Sequence, residues 1–120
     1  MDKLFNSLRY SEDYLIGDSD KRIRIILRLI GSGKRVLDLG CGDGFVSELI
    51  AGKGNQVAGV EISEFAVKKA AAKGMKIYDC DLNSDWSGLV KEKFDLVLAG
   101  EILEHIFDTD KLLRNIYSVL

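Results

Sequence analysis

The run Val36-Leu37-Asp38-Leu39-Gly40-Cys41-Gly42-Asp43-Gly44-Phe45 constrains this chain more than any other. Val36, Leu37 and Leu39 supply a buried strand, and Asp38 sits near its end. Gly40, Gly42 and Gly44 alternate with other residues, so the backbone can approach a ligand with no Cβ in the way. Phe45, Val46, Leu49 and Ile50 then fall at helical spacing. A strand, a glycine turn and a helix in this order make a site for a nucleotide-type ligand at the carboxyl end of the strand. The spacing is G-x-G-x-G, whereas dinucleotide folds use G-x-G-x-x-G. That difference points away from NAD and toward S-adenosylmethionine.

The rest of the chain repeats the alternation of strand and helix. Asp18 or Ser19 is placed to cap a helix with apolar positions Ile23, Ile26, Leu27 and Ile30, closing at Gly31. Residues 1–17 read as irregular or partly helical. Strands are expected at Arg35–Leu39, Gln56–Glu61, Met75–Cys80 and Phe94–Ala99. Helices are expected over Gly44–Gly52, over Glu64–Lys73 behind a Ser63 cap, and from Asp108 or Thr109 to Leu120. Between Leu82 and Lys93 lies a connection with a short helical turn near Trp86–Val90. The alternation predicts an α/β fold, a three-layer Rossmann-like sandwich with a mainly parallel sheet of order 3-2-1-4. Chain direction reverses between strands one and four, which places the ligand crevice there.

Composition narrows the function classes. With 120 residues the chain reads as one domain, 1–120. A net charge of −2 gives no electrostatic footprint for nucleic acid. No apolar run approaches the roughly 20 residues that span a bilayer, and the N-terminus lacks the apolar core of a signal peptide. Cys41 and Cys80 are isolated from each other and the chain has 1 His, so neither a disulfide framework nor a structural zinc site is expected. Reduced thiols and a cytoplasmic location follow.

Two acids stand where strands end. Glu61 closes strand two, where a carboxylate accepts from the 2′- and 3′-hydroxyls of a ribose and repels a 2′-phosphate. Asp81, in Asp79-Cys80-Asp81-Leu82, follows strand three. Its carboxylate suits an adenine amino group, and a backbone N–H near Leu82 suits a ring nitrogen. The plainer readings are a surface acid at a strand end for Glu61 and a loop starter for Asp81.

Taken together, these segments resemble a class I S-adenosylmethionine-dependent methyltransferase. The matching pieces are Val36–Phe45, Gly59-Val60-Glu61-Ile62-Ser63, Asp79-Cys80-Asp81-Leu82, and Phe94–Ala99 with Gly100-Glu101-Ile102-Leu103-Glu104-His105-Ile106. The resemblance implies S-adenosyl-L-methionine as cofactor and S-adenosyl-L-homocysteine as product. The backbone of Gly40, Cys41, Gly42 and Gly44 would border the methionine part, with Asp38 near its amino group or polarising a bridging water. Glu61 would hold the ribose, Ile62 would pack on adenine, and Asp81 and Leu82 would meet its edge. Ala99 and Glu101 would flank the methionine and face the acceptor.

The reaction so implied asks little of side chains. A sulfonium is an activated methyl donor, and in-line positioning supplies most of the help. A base is needed only when the acceptor must lose a proton. His105, in the run Glu101-x-x-Glu104-His105, is the candidate for that role; its plainer reading is a helix-start histidine that fills a polar gap. The same run resembles a metal-binding segment of RNA methyltransferases, but those use a second histidine and this chain has none, so no metal is expected.

The resembled family builds seven strands, and this sequence supplies four. Strand four then becomes an edge, which predicts self-association, most simply a homodimer through that side. A piece of a longer enzyme, a short form that dimerises and a cofactor-binding remnant all fit. The leading function is methyl transfer to a small-molecule acceptor. A catalytically silent cofactor-binding module or partner subunit is the alternative, and an NAD-dependent oxidoreductase is disfavoured by the glycine spacing.

Overall fold

A computed structural model of the chain describes residues 18–100 and 102–120; the expectations for residues 1–17 and for Glu101 lie outside these. Among the described residues the first helix, α1, is Asp18–Ile30, in a compact unit that ends at Gly31; Ser32–Leu120 forms a second unit. Asp18 and Ser19, expected ahead of the helix, fall within the range of α1.

In the second unit the order is β1 (Arg35–Leu39), α2 (Phe45–Gly52), β2 (Gln56–Glu61), α3 (Glu64–Ala72), β3 (Lys76–Asp79), β4 (Leu96–Ala99) and α4 (Thr109–Val119). Short 3-10 turns occupy Trp86–Leu89 and Leu103–His105. The sheet has order β3-β2-β1-β4, and every pairing is parallel. This is the expected topology. The caps are also as expected: Ser63 Oγ accepts from the Ala66 N–H at 3.3 Å, and Asp108 Oδ1 accepts from the Lys111 N–H at 3.1 Å.

Two strands are shorter than expected, for local reasons. The Met75 N–H donates to Ala70 O at 3.3 Å, which keeps Met75 with the end of α3. The Phe94 N–H donates to Val119 O at 2.8 Å, so Phe94 is tied to the end of α4 and β4 starts later.

Register sorts the core into faces. Leu37 pairs with Ala58 and Leu39 with Val60, so these four residues share one face. Trp86, Val90, Phe94, Ile102, Leu112 and Val119 cover them in one buried cluster. Asp38 pairs with Gly59 and points to the opposite face, where Ser47 of α2 meets it. Helices therefore cover both faces, and β1 is buried from Val36 to Leu39 because it has neighbours on every side. At the amino end of the sheet Glu92 gathers Lys76 Nζ at 2.8 Å, Tyr78 Oη at 2.6 Å and the Arg35 guanidinium. The Lys76 contact first, then the Tyr78 hydroxyl, pulls the Glu92 carboxyl below its ordinary range. The carboxyl end of the sheet is left to the loops that build the site.

Candidate functional site

The glycine turn is organised from below by buried polar chemistry. Ser47 Oγ donates to Asp38 Oδ2 at 2.6 Å, with Asp38 only 5% exposed. Burial pushes the Asp38 carboxyl up from 3.8 to about 6; the Ser47 hydrogen bond opposes this and the Glu61 charge adds to it. Burial likewise pushes the Cys41 thiol up to about 12, helped by the charges of Asp38 and Glu61. The Cys41 side chain fills the space beside Gly59: a Cβ on Gly59 would lie 2.9 Å from Cys41 Cβ and closer still to its sulfur. Cys41 thus turns its side chain into the protein and leaves only backbone to the turn.

The glycines of the turn serve different ends. Gly42 has φ +59, and a Cβ built on it meets nothing within 4 Å, so its missing side chain leaves space open. Gly44 has φ +89 and caps α2, and a Cβ there would run into Met75 Sδ and lie 3.5 Å from Ala70 Cβ. Gly44 is therefore held to glycine by its left-handed backbone, and an added methyl would also force the flexible Met75 side chain to move. Gly40 abuts Ile102, whose Cγ2 would stand 2.6 Å from an added Cβ.

Glu61 joins the parts. The Gly42 N–H donates to Glu61 Oε1 at 2.8 Å, and the Ser63 N–H donates to Oε2 at 3.0 Å. A carboxylate offers about four lone-pair sites, and these bonds use two. Glu61 is thus more than a surface acid, and it keeps acceptor capacity for a diol. Asp81 uses one oxygen in a turn, accepting the Asn83 N–H on Oδ1 at 2.9 Å.

A cavity of about 400 Å³ opens at the carboxyl end of the sheet, lined by Gly40, Glu61, Ile62, Cys80, Asp81, Leu82, Asn83, Ile102, His105 and Ile106. Its size suits a nucleoside-sized ligand. Six residues expected at the site come together here: Gly40, Glu61, Ile62, Asp81, Leu82 and His105. Asp38, Cys41, Gly42 and Gly44 stand behind or beside this lining. Ala99 pairs with Leu39 at the end of β4 and is also outside it. His105 is exposed, with Nε2 3.8 Å from Glu104 Oε2. Cys80, Asn83, Ile102 and Ile106 were not expected in the wall. Cys80 had the signal of its strand-end position, and Asn83 that of an Asx turn two residues past an aspartate. The two isoleucines carry no signal that separates lining from core.

The fold and this cavity define the Rossmann-like class of S-adenosylmethionine-dependent methyltransferases. The chain belongs to the family described as methionine biosynthesis protein MetW, which matches residues 20–119. It is 40% identical over 82 residues to a ubiquinone biosynthesis O-methyltransferase of Thiobacillus denitrificans, covering 64% of this chain and 35% of that protein. A crystal structure of an S-adenosylmethionine-dependent methyltransferase from Mesorhizobium loti superposes with TM-score 0.69 at 25% identity, over 87% of this chain and 49% of that one. Coclaurine N-methyltransferase, solved with N-methylheliamine and S-adenosylhomocysteine, superposes with TM-score 0.68 at 25% identity, over 89% of this chain and 35% of that one. The chain spans little more than a third of the length of the curated relatives it matches.

Proposed function

We propose that this chain carries the cofactor site of an S-adenosylmethionine-dependent methyltransferase that acts on a small-molecule acceptor. The observation that carries the reading is Glu61. It ends β2, binds the glycine turn through the Gly42 N–H, and faces the cavity with acceptor sites to spare. Glu61 takes the ribose hydroxyls, Ile62 and Leu82 flank the adenine, and Asp81 accepts its amino group. The open space beside Gly42 admits the methionine part, with Asp38 beneath the turn. When bound, the sulfonium supplies the activated methyl group. The protein then orients the two reactants and excludes water. Ala99 and Glu101 flank the methionine and face the acceptor, and His105 is the base where an acceptor must lose a proton.

Transfer of a labelled methyl group from S-adenosylmethionine to a panel of hydroxylated and aminated small molecules tests the reading. Transfer to one acceptor class supports it. Cofactor binding with no transfer would assign the catalytically silent module instead.

Two further features belong to the same proposal. β4 is the edge strand of the sheet among the described residues, and Leu113 and Tyr117 on α4, with Leu120 just after it, are exposed. These support self-association through the β4 side. Sedimentation at micromolar concentration should give a dimer, and a stable monomer would remove this part. Cytoplasmic placement is supported by two free cysteines and by the lack, among the described residues, of any helix long and apolar enough to cross a membrane.

A further inference from the structure

Asn83 connects the two walls of the cavity. Its Nδ2 donates to the His105 carbonyl at 3.1 Å, and the Phe107 N–H donates to its Oδ1 at 2.8 Å. Its own N–H donates to Asp81 Oδ1 at 2.9 Å. One residue thus engages the loop after β3 and the segment after β4. The two backbone partners bracket Ile106, which lines the cavity beside His105.

Ile106 packs half-buried against the core cluster, and the residues on either side of it have little else to hold them. The turn ahead of it is closed by the His105 N–H to Ile102 O at 2.9 Å and the Ile106 N–H to Leu103 O at 3.1 Å. Leu103, Glu104 and His105 are exposed, and the Phe107 side chain is 90% exposed, so neither side anchors by burial. Between that turn and the Asp108 cap, the Asn83 amide is the polar tie that stands beside the packing of Ile106. At this length only an amide presents a donor and an acceptor together; aspartate accepts only, and leucine does neither.

We propose that Asn83 is a positioning residue of the methyltransferase site: its amide latches His105–Phe107 onto the loop that bears Asp81, so the cofactor side sets the place of the acceptor side. This rests on the function proposed above. Ligand contact at Asp81 then reaches His105 through one side chain.

The chain offers two built-in reporters. His105 is its 1 histidine, so its imidazole C–H signals are unique in a proton NMR spectrum, and the 1 tryptophan, Trp86, is buried and reports folding by fluorescence. The variants are Asn83→Asp, which is nearly isosteric and keeps the bond from Phe107 while losing the one to His105, and Asn83→Ala, which loses both. The first measurement needs no ligand: amide exchange at Phe107, with Trp86 emission confirming the fold. It should speed up about fivefold or more in Asn83→Ala. The second is the movement of the His105 signals on adding S-adenosylhomocysteine at fixed pH. With S-adenosylhomocysteine at saturation for each protein, the parent should show a clear shift that shrinks at least twofold in both variants. Unchanged exchange at Phe107 in Asn83→Ala would overturn the latch. Faster exchange with an undiminished His105 response in both variants would reduce Asn83 to a structural tie and overturn the positioning role. If the parent binds no S-adenosylhomocysteine, the functional reading fails and the coupling fails with it, while Phe107 exchange still decides the latch.

Discussion

The Gly42 N–H donates to Glu61 Oε1 at 2.8 Å, joining the glycine turn after β1 to the last residue of β2. The partner oxygen of Glu61 accepts the Ser63 N–H at 3.0 Å, at the cap of α3. Glu61 therefore shapes the turn before any ligand arrives. In Glu61→Gln one of the two backbone donors must face an amide NH₂ or go unpaired. The variant should lose about 1–2 kcal/mol of stability, read as a lower denaturant midpoint at unchanged m-value. A midpoint equal to the parent's would mean that these bonds contribute nothing to the turn.

Gly42 and Gly44 should answer differently to alanine. Both have positive φ, so each change carries a backbone cost of about 1 kcal/mol. The new methyl of Gly42→Ala enters open space, whereas that of Gly44→Ala meets Met75 and Ala70. Gly42→Ala should fold and bind S-adenosylhomocysteine at least tenfold more weakly. Gly44→Ala should lose about 2 kcal/mol or more in total, with overpacking added to the backbone cost. Thermal melts with and without ligand separate the two. Equal stability losses would contradict this division of roles.

Asp38 makes stability depend on pH in a stated direction. Its folded value of about 6 lies above the ordinary 3.8, so the folded state holds this proton more tightly than the unfolded state. Below about pH 4 both states are protonated and ionisation costs nothing. As pH rises toward about 6 the unfolded state releases the proton first, and stability falls. Above about 6 the full cost is in place, about 2–3 kcal/mol. Asp38→Asn removes this loss, and its amide oxygen still accepts from Ser47. Its melting temperature should exceed the parent's at pH 7.5, with the gap closing toward pH 4. A gap that is constant with pH would show that the Asp38 proton is not linked to folding.

The sheet order, the Ser63 and Asp108 caps and the strand-end acids were legible because each has a local cause. Glycine spacing, alternation of apolar runs, and Ser63 or Asp108 ahead of a helix are all short-range signals. What Glu61 does for Gly42 was not legible, since it depends on how two distant loops meet. The same holds for Asn83, whose partners lie beyond β4, and for Cys41, whose direction is set by the bare Gly59 beneath it. Gly44 shows the limit from the other side. Its glycine was readable, but the crowding by the Met75 side chain that an added methyl would meet is a matter of packing.

The two thiols should react in a fixed order. Burial raises the Cys41 thiol to about 12, and its side chain is enclosed. Cys80 is also raised by burial first and then by Asp79 and Asp81, but it is half-buried and lines the cavity. Iodoacetamide at pH 8 should therefore label Cys80 first and slowly, and S-adenosylhomocysteine should slow it further. Peptide mass mapping reads both. Faster labelling of Cys41, or no protection of Cys80 by ligand, would contradict the placement of the cavity.

Calorimetric titration of the chain with S-adenosylhomocysteine, set beside NAD, tests the central claim most directly. The account predicts saturable one-to-one binding of S-adenosylhomocysteine, a rise in unfolding free energy of about 2.7 kcal/mol at a hundredfold excess over Kd, and no binding of NAD. Glu61→Gln should weaken the binding roughly tenfold, since a charge-assisted pair of hydrogen bonds to the ribose becomes neutral. Absence of heat and of a melting shift at millimolar S-adenosylhomocysteine, or equal binding of NAD, would contradict it.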